Sequence, residues 1–450
     1  MLAVLFLSTF MALLDSSVVT VALPAIQRSL GGPLSNLQWV LDGYTVALAT
    51  VMLTTGTLGD RFGRKRVFLA GLAVFTIASA CCAFAPGIGW LIAARILQGA
   101  AGSVLIPGGL SLMAQAYPDP GRRARVLGVW GMVGALAFVA GPLVGGPLTD
   151  AFGWPSIFLI NLPLGALALG FGLRSLRESA DPEHASLDPL GQVLAIAWTG
   201  LLVYAVIEAG HSGWSATGVL VCLPGAMACL AAFVWVESRS VRPMLPLSLF
   251  SNGRFAAITV ASFVLGAGSY GSFFLLSLYL QTVRGVSATG AGVRFLPLVL
   301  ASSVFSLLAG RWGGRVLVLG YGLTGLALLA CATITASTPY PVVAVLFAAL
   351  GAGMGLALGP TNLAALAAVP RERSGVASAT VNTARQTGTA LGIAVLGAVV
   401  AAAGDFVGGL HISFVIAGTM TLAITVVLTL GPRRGTASGD RAVHEDGPRG

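Results

Sequence analysis

The stretch Gly59-Asp60-Arg61-Phe62-Gly63-Arg64-Lys65-Arg66 lies between two long apolar segments of this 450-residue chain. It places five charges, four of them positive, in a turn too short to hold a domain. Short loops rich in Lys and Arg stay in the cytoplasm when a membrane protein inserts. The stretch is therefore typical of a cytoplasmic hairpin between two membrane-spanning helices.

The composition indicates an all-α polytopic membrane protein. Hydrophobic residues make up 56% of the chain, charged residues make up 9%, and the mean hydropathy is +0.90. Soluble domains usually carry about 25% charged residues, so most of this chain is expected to lie in a lipid bilayer. The net charge of +9 comes from arginines in short loops rather than from a basic stripe, which argues against nucleic-acid binding.

Breaks at charged and Gly/Pro-rich positions divide the chain into about fourteen apolar spans of roughly the length that a bilayer requires. They are predicted at 3–24, 39–59, 67–85, 90–113, 125–148, 156–173, 190–207, 217–236, 256–280, 292–310, 316–336, 342–363, 376–401 and 412–430. An orientation with both termini in the cytoplasm leaves only Arg28 and Arg284 in external loops, as the preference of basic residues for the cytoplasm demands.

An internal repeat divides the spans into two halves. Residues 98–107 align with residues 351–360 at an offset of 253, which pairs Gly102 with Gly355 and Pro107 with Pro360. We expect an N-terminal six-helix bundle, a linker with two additional transmembrane helices, a C-terminal six-helix bundle and a disordered cytoplasmic tail. Their predicted bounds are 1–174, 175–253, 254–431 and 432–450. Such duplication is typical of transporters.

Several motifs resemble those of a known family. Residues 56–66 resemble the loop signature of the major facilitator superfamily. Its fourteen-span drug:proton antiporter branch is similar at Leu14–Pro24, at Arg95–Gly99, and at Gly134 with Gly141–Gly146. The resemblance implies a major facilitator fold of two six-helix bundles plus two central helices. It also implies the export of drugs in exchange for protons.

The candidate proton-coupling residues are Asp15, Arg95 and Asp42. Asp15 lies near the middle of a span, where a charge costs about 2.5–3.5 kcal/mol, so we expect it to face the cavity, find a partner or carry a proton. Arg95 is a permanent cation inside span 4 that we expect to pair with Asp15. The alternative for Asp15 is a structural acid that hydrogen-bonds a neighbouring helix, and the alternative for Arg95 is a fixed structural ion pair. Asp42 follows Trp39, and it is either a second proton or cation site or an acid at the membrane surface.

Two further motifs are candidates for controlling conformation. The resemblance implies a gate at the loop residues Gly59, Asp60, Arg61, Gly63, Arg64 and Arg66, in which Asp60 accepts from a helix N-terminus in the opposite half. Gly134, Gly141 and Gly145 share one helix face, which lets two backbones pack closely, and Pro142 makes a local kink within this stripe. In the family this motif seals exporters against leaks. Gln98, Arg385, Gln386 and Glu208 are possible cavity contacts. For Glu208, which precedes His211 and Trp214, the sequence favours an interfacial acid with an aromatic anchor over a functional proton site.

The sequence predicts a transporter rather than an enzyme, because it contains no nucleotide-binding loop, catalytic triad or metal-binding spacing. We expect a proton-coupled antiporter that exports lipophilic or cationic drugs or secondary metabolites. Uptake of a small nutrient or peptide with protons is the alternative. The expected partners are a small-molecule substrate, protons and the lipid bilayer, with no cofactor. The expected setting is a monomer in a bacterial cytoplasmic membrane.

Overall fold

The computed structural model describes residues 1–117, 119–179, 188–240, 243–309, 316–370 and 373–430. Their regular structure is entirely helical, which confirms the predicted fold class. The α-helices are α1 (Leu2–Leu30), α2 (Leu34–Phe62), α3 (Arg64–Ala83), α4 (Ile88–Ala116), α5 (Pro120–Phe152), α6 (Ser156–Leu159), α7 (Asn161–Ser175), α8 (Pro189–Ser212), α9 (Thr217–Arg239), α10 (Gly253–Leu265), α11 (Gly271–Leu278), α12 (Ala288–Arg294), α13 (Leu296–Ala309), α14 (Val316–Cys331), α15 (Tyr340–Ala367), α16 (Ser374–Ala402) and α17 (Phe406–Leu430).

These helices form fourteen consecutive segments in the described ranges when α6–α7, α10–α11 and α12–α13 are each taken as one. Eleven are long and apolar enough to cross a membrane, and α14 is a shorter apolar helix. Each predicted span overlaps one segment. The span predicted at 316–336 ends early at Cys331, because the following threonines form a turn in which Thr335 N donates to Thr338 Oγ1 at 2.8 Å.

The loop between α2 and α3 is a single residue. Gly63 has φ of 99°, a left-handed conformation that a residue with a Cβ rarely adopts, and its N–H donates to Gly59 O at 3.0 Å. This glycine permits the chain to reverse without a longer connection. The charges of the loop therefore lie at the ends of both helices.

The helices pack in two groups with one pair beside them. In the first group α1 packs against α4, α5 and α7, and α4 packs against α2 and α3. In the second, α15 packs against α13 and α14, while α16 packs against α10 and α17. Helices α8 and α9 pack on each other, and α8 also contacts α2 and α16. The additional pair thus covers one side of the boundary between the groups.

Polar contacts between the two groups lie at one end of the bundle, where α1 and α5 finish and α2 begins. Gln38 Nε2 donates to the carbonyls of Ile393 and Ala394 at 3.0 and 3.1 Å. Thr289 N at the start of α12 donates to Asp150 Oδ2 at 2.8 Å. We call this the far end, because it lies opposite the Gly59–Arg66 loop. The described residues therefore show the two groups joined at the far end.

Candidate functional site

A network of polar side chains surrounds Asp15 in the interior of the first helix group. Asp15 and Arg95 are each 0% exposed, and Arg95 Nη1 donates to Asp15 Oδ2. The other carboxylate oxygen, Oδ1, accepts from Gln98 Nε2 and from Asn161 Nδ2, both at 2.9 Å. One carboxylate therefore joins α1, α4 and α7.

Ser79 of α3 holds the two amide donors in place. Its Oγ accepts from Asn161 Nδ2 at 3.0 Å and from Gln98 Nε2 at 3.2 Å, and it donates to the carbonyl of Phe158 at 2.9 Å. Each amide nitrogen thus contacts both Ser79 and Asp15, so the orientation of both side chains is fixed. Sequence reasoning missed Ser79 and Asn161 as site residues, although Asn161 is a polar residue inside an apolar span and could have been singled out.

Arg95 is held on several sides. Its Nε donates to Val40 O of α2 at 3.1 Å, and Nη1 also donates to Gln98 Oε1 at 2.7 Å. The guanidinium carbon lies 4.2 Å from the centre of the Tyr44 ring, a distance at which a cation is attracted to the ring face. Sequence reasoning missed Tyr44 too. The cation is satisfied by a carboxylate, an amide, a carbonyl and an aromatic ring.

The expected pairing of Asp15 with Arg95 matches this geometry, and the structure places both residues and Gln98 in the interior of the first helix group. All three are 0% exposed, and their partners belong to the first helix group. A buried ion pair is stable only when further donors and acceptors surround it, and the interior of a bundle supplies them from several helices. The role of Asp15 and Arg95 in coupling stays a prediction.

Asp42 is the second buried acid, and its surroundings differ completely. It is 0% exposed, and neither carboxylate oxygen has a hydrogen-bond partner among the described residues. The prediction of an acid at the membrane surface is therefore wrong. At 100° per residue, Asp42 lies between Gln38 and Val46 on one face of α2. Gln38 binds α16, and Val46 packs with α8 and α16, so Asp42 lies at the boundary between the two groups.

The arginine-rich loop binds within its own hairpin and to the segment that follows α7. Asp60 Oδ1 lies 2.6 Å from both Nε and Nη2 of Arg64. Glu178, which follows α7, accepts from Lys65 N at 3.0 Å and lies 3.6 Å from Arg66 Nε. The expected contact of Asp60 with a helix of the opposite half is not present in the described structure. In this structure the two groups are joined at the far end, so Asp60 at the loop end makes no contact with the described residues of the opposite half.

The glycine stripe of α5 packs against α1. A Cβ on Gly145 would lie 2.5 Å from Val18 Cγ2, and one on Gly141 would collide with Ser17. Gly134 lies beside Leu13. The predicted close approach of two backbones is therefore present, between α5 and α1.

The adjoining face of α5 meets the second helix group. A Cβ on Gly146 would lie 2.6 Å from Ala288 O, and one on Gly292 would collide with Pro142 O. Pro142 and Gly146 thus bring α5 against α12, next to the bond between Asp150 and Thr289. The Gly-Pro motif therefore packs within one group and also closes the far end between both.

Comparison with known proteins decides the family. The model of the Major Facilitator Superfamily matches residues 5–393. The chain belongs to the major facilitator superfamily. It is 35% identical over 449 residues to the methylenomycin A resistance protein of Bacillus subtilis, covering 98% of this chain and 96% of that one. It is 37% identical over 400 residues to the multidrug resistance protein Stp of Mycobacterium tuberculosis, covering 88% and 74%.

Solved structures agree with the fold. A POT family transporter in complex with a thioalcohol-conjugated peptide superposes with a TM-score of 0.72 at 16% identity, covering 95% of each chain. At that identity the likeness shows the fold alone. As a major facilitator protein with many membrane-crossing helices, this chain is a multi-pass membrane transporter and not an enzyme.

A cavity of about 220 Å³ in this major facilitator protein lies between α2, α8, α10 and α16. The remaining predicted cavity contacts do not line it. Arg385 Nη2 donates to Asn382 Oδ1 on its own helix at 2.8 Å, and Gln386 is half-buried beside it. Glu208 lies against Gly218 of α9. Sequence reasoning could not place this cavity, because α8 supplies one wall and its packing partner was unknown.

Proposed function

We propose that this protein is a proton-coupled antiporter of the fourteen-span drug:proton branch, and that it exports lipophilic or cationic drugs or secondary metabolites. The resistance functions named for its relatives support drug export. The positive loop supports a cytoplasmic location for the Gly59–Arg66 end and for both termini, in a bacterial cytoplasmic membrane. On that orientation the far end is external, and we assign this structure, whose external ends are joined, to the inward-facing state. We further propose that it acts as a monomer without a cofactor.

The bundle division predicted from the repeat fits alternating access. We propose that the first bundle (1–174) and the second (254–431) rock about their boundary, with the pair between them moving beside α2 and α16. In the inward-facing state the external ends meet through Gln38, Asp150 and the Pro142–Gly146 face. Outward opening must break these contacts and remake others at the arginine-rich loop.

The observation that carries proton coupling is the fully buried carboxylate of Asp42, which has no hydrogen-bond partner among the described residues. Three N–H donors satisfy Asp15 as an anion, whereas the described residues offer Asp42 none. A buried carboxylate without donors is far more stable with a proton than without one. We therefore propose that Asp42 carries the proton in this state. Asp15 and Arg95 would then keep the first bundle in the shape that Asp42 requires.

A coupling cycle follows from this placement. Opening the far end separates α2 from α16 and admits external water to Asp42, which takes up a proton there. Closure buries the acid again, and closure is favoured only when Asp42 is neutral. Binding of a substrate beside α2 then releases the proton toward the cytoplasm. External protons thereby drive the return to the inward-facing state.

The test uses inverted membrane vesicles with an acidic interior. For the wild type, adding an exported drug should dissipate the proton gradient, and Asp42→Asn should abolish this dissipation while drug binding persists. Asp405→Asn is the control, because Asp405 is exposed and binds only Gly408 N and Val407 N at the start of α17. Substrate-induced dissipation by Asp42→Asn at the wild-type rate would refute the assignment. A symporter for nutrients or peptides would not dissipate the gradient in the wild type.

A further inference from the structure

We infer that the pocket beside α8 binds an uncharged, lipophilic small molecule, and that the additional helix pair supplies one wall of a substrate site. This inference rests on the proposed export function, and it extends that function to a location and a chemical class. The pocket encloses about 220 Å³. Neither the glycine stripe nor the Asp15 network contributes to its lining.

The walls of the pocket come from both helix groups and from the pair between them. Thr50 lies on α2, Thr380 and Thr383 lie on α16, and Ala195 and Trp198 lie on α8. Because α2 and α16 belong to groups that move against each other, the pocket must change shape during transport. A site that holds cargo has this property, whereas a cavity inside one rigid bundle does not.

The chemistry of the lining favours a neutral ligand. Among the described lining residues none is charged, four carry aromatic rings and six are threonines. Aromatic walls with a few placed hydroxyls are typical of sites for lipophilic molecules that carry one or two polar groups. A permanent cation would enter this pocket without a counter-charge from its described walls, which is costly in a medium of low dielectric constant.

One buried hydroxyl oxygen of the pocket has no hydrogen-bond partner among the described residues. Thr383 Oγ1 is buried and has no hydrogen-bond partner among the described residues, whereas the hydroxyls of Thr50 and Thr380 donate to backbone carbonyls of their own helices at 2.8 Å. A buried hydroxyl without a partner is unfavourable, and a ligand carbonyl or hydroxyl would satisfy it. Thr383 is therefore the expected polar contact of the bound molecule.

The loop end of the pocket is fastened by polar bonds. Gln192 of α8 donates from Nε2 to Thr50 O at 3.0 Å, and Thr54 of α2 donates to Gln192 Oε1. Leu245, which lines the pocket, is held by a bond from its N–H to Glu237 Oε2 at 3.0 Å. The Gln192 bonds attach α8 to α2 of the first helix group, and the Leu245 bond attaches the segment after α9 to α9. A pocket for a lipid tail would need neither these polar bonds at its loop end nor threonine hydroxyls in its walls.

The pocket also lies close to the proposed proton site. Asp42 and Thr50 are eight residues apart on α2, about 12 Å along the helix axis and about 80° apart around it. A ligand that presses on this part of α2 would displace the helix from α16 at the level of Asp42. Occupancy of the pocket and release of the proton would then be linked through one helix.

The experiment measures equilibrium binding of radiolabelled chloramphenicol, an uncharged aromatic amide, to the purified full-length protein. Ala195→Phe fills the pocket and should weaken binding at least ten-fold, because Ala195 is buried in its wall. Ala197→Phe is the matched control on the same helix, about 200° away, and should bind as the wild type does. Thr383→Val should weaken binding about five-fold while leaving the pocket volume unchanged.

Binding by Ala195→Phe at the wild-type affinity would overturn the inference and would indicate a pocket occupied by lipid or unused. Wild-type protein that binds ethidium, a cation, but not chloramphenicol would overturn the neutral class. Thermal unfolding of each variant verifies that it folds. Failure of the proposed function would give a different result. Proton flux that is unchanged in Asp42→Asn would refute the proton assignment, whereas chloramphenicol would still bind to the wild type and still lose binding in Ala195→Phe.

Discussion

Replacing Gln38 by Ala should shift the protein toward the state that is open at the far end. Gln38 is 1% exposed, and it donates two hydrogen bonds from α2 to carbonyls of α16. A neutral hydrogen bond contributes about 1 kcal/mol net, so the variant loses about 2 kcal/mol from the closed state alone. That raises the ratio of open to closed molecules about 30-fold. A minor open population of about 1% would rise to about 20%.

The assay measures the distance between spin labels at the far end by pulsed electron resonance. One label replaces Arg28 in the first group and the other replaces Ala403 in the second, both exposed positions, after the five native cysteines are removed. Opening adds a population at longer distance, and its fraction gives the equilibrium constant. Gln27→Ala is the matched control, because Gln27 lies near the same end but donates to Gly32 O in its own loop.

Two results would refute the reasoning. A long-distance fraction in Gln38→Ala equal to that of the parent would mean that these bonds do not hold the far end closed. An equal increase in Gln27→Ala would mean that any lost amide near this end loosens it. Either result would also remove the expected contribution of α2 and α16 to burying Asp42.

Two further predictions concern packing and the ion pair. Gly146→Val should reduce drug export in vesicles at least ten-fold, because a Cβ there would lie 2.6 Å from Ala288 O and prevent closure. Gly170→Val, where a Cβ meets nothing within 4 Å, should export normally, and equal losses in both would contradict this. Asp15→Asn should destabilise the protein by about 3–5 kcal/mol by leaving Arg95 unpaired, and adding Arg95→Met should recover more than half. Thermal unfolding in detergent would disprove this if the double variant were the less stable one.

The sequence predicts the number and position of the helices well, because membrane crossing imposes length and hydropathy on each segment independently. It predicts poorly how each helix is oriented about its own axis, and therefore which side chains face a neighbouring helix. A helix that is apolar on all sides gives no sign of which face meets a neighbour, and this describes most of the segments here. That is why the loop motif and the glycine stripe were found, whereas Ser79 and Tyr44 were missed.

Asp42 shows the same limit in one residue. Its neighbour Trp39 suggested an aromatic side chain at the membrane surface, yet the Trp39 ring lies 6.3 Å from that of Tyr204 on α8. The additional helix covers a face of α2 that would otherwise contact lipid. The packing of α8 against α2 joins residues that are far apart in the sequence, and the local sequence around Asp42 does not predict it.

The bonds around Asp15 have a mechanical consequence for the first bundle. Asp15 and its immediate neighbours join five helices by hydrogen bonds into one rigid unit: α1, α2, α3, α4 and α7. No member can slide along another without breaking several bonds at once. The first bundle must therefore move as one rigid body. Deformation is confined to its boundary with the other bundle, where small residues and single amide side chains make the contacts. Substitutions at this boundary should change the rate of the transport cycle. Substitutions among the hydrogen-bonded residues around Asp15 should instead change whether the protein retains two distinct conformations at all.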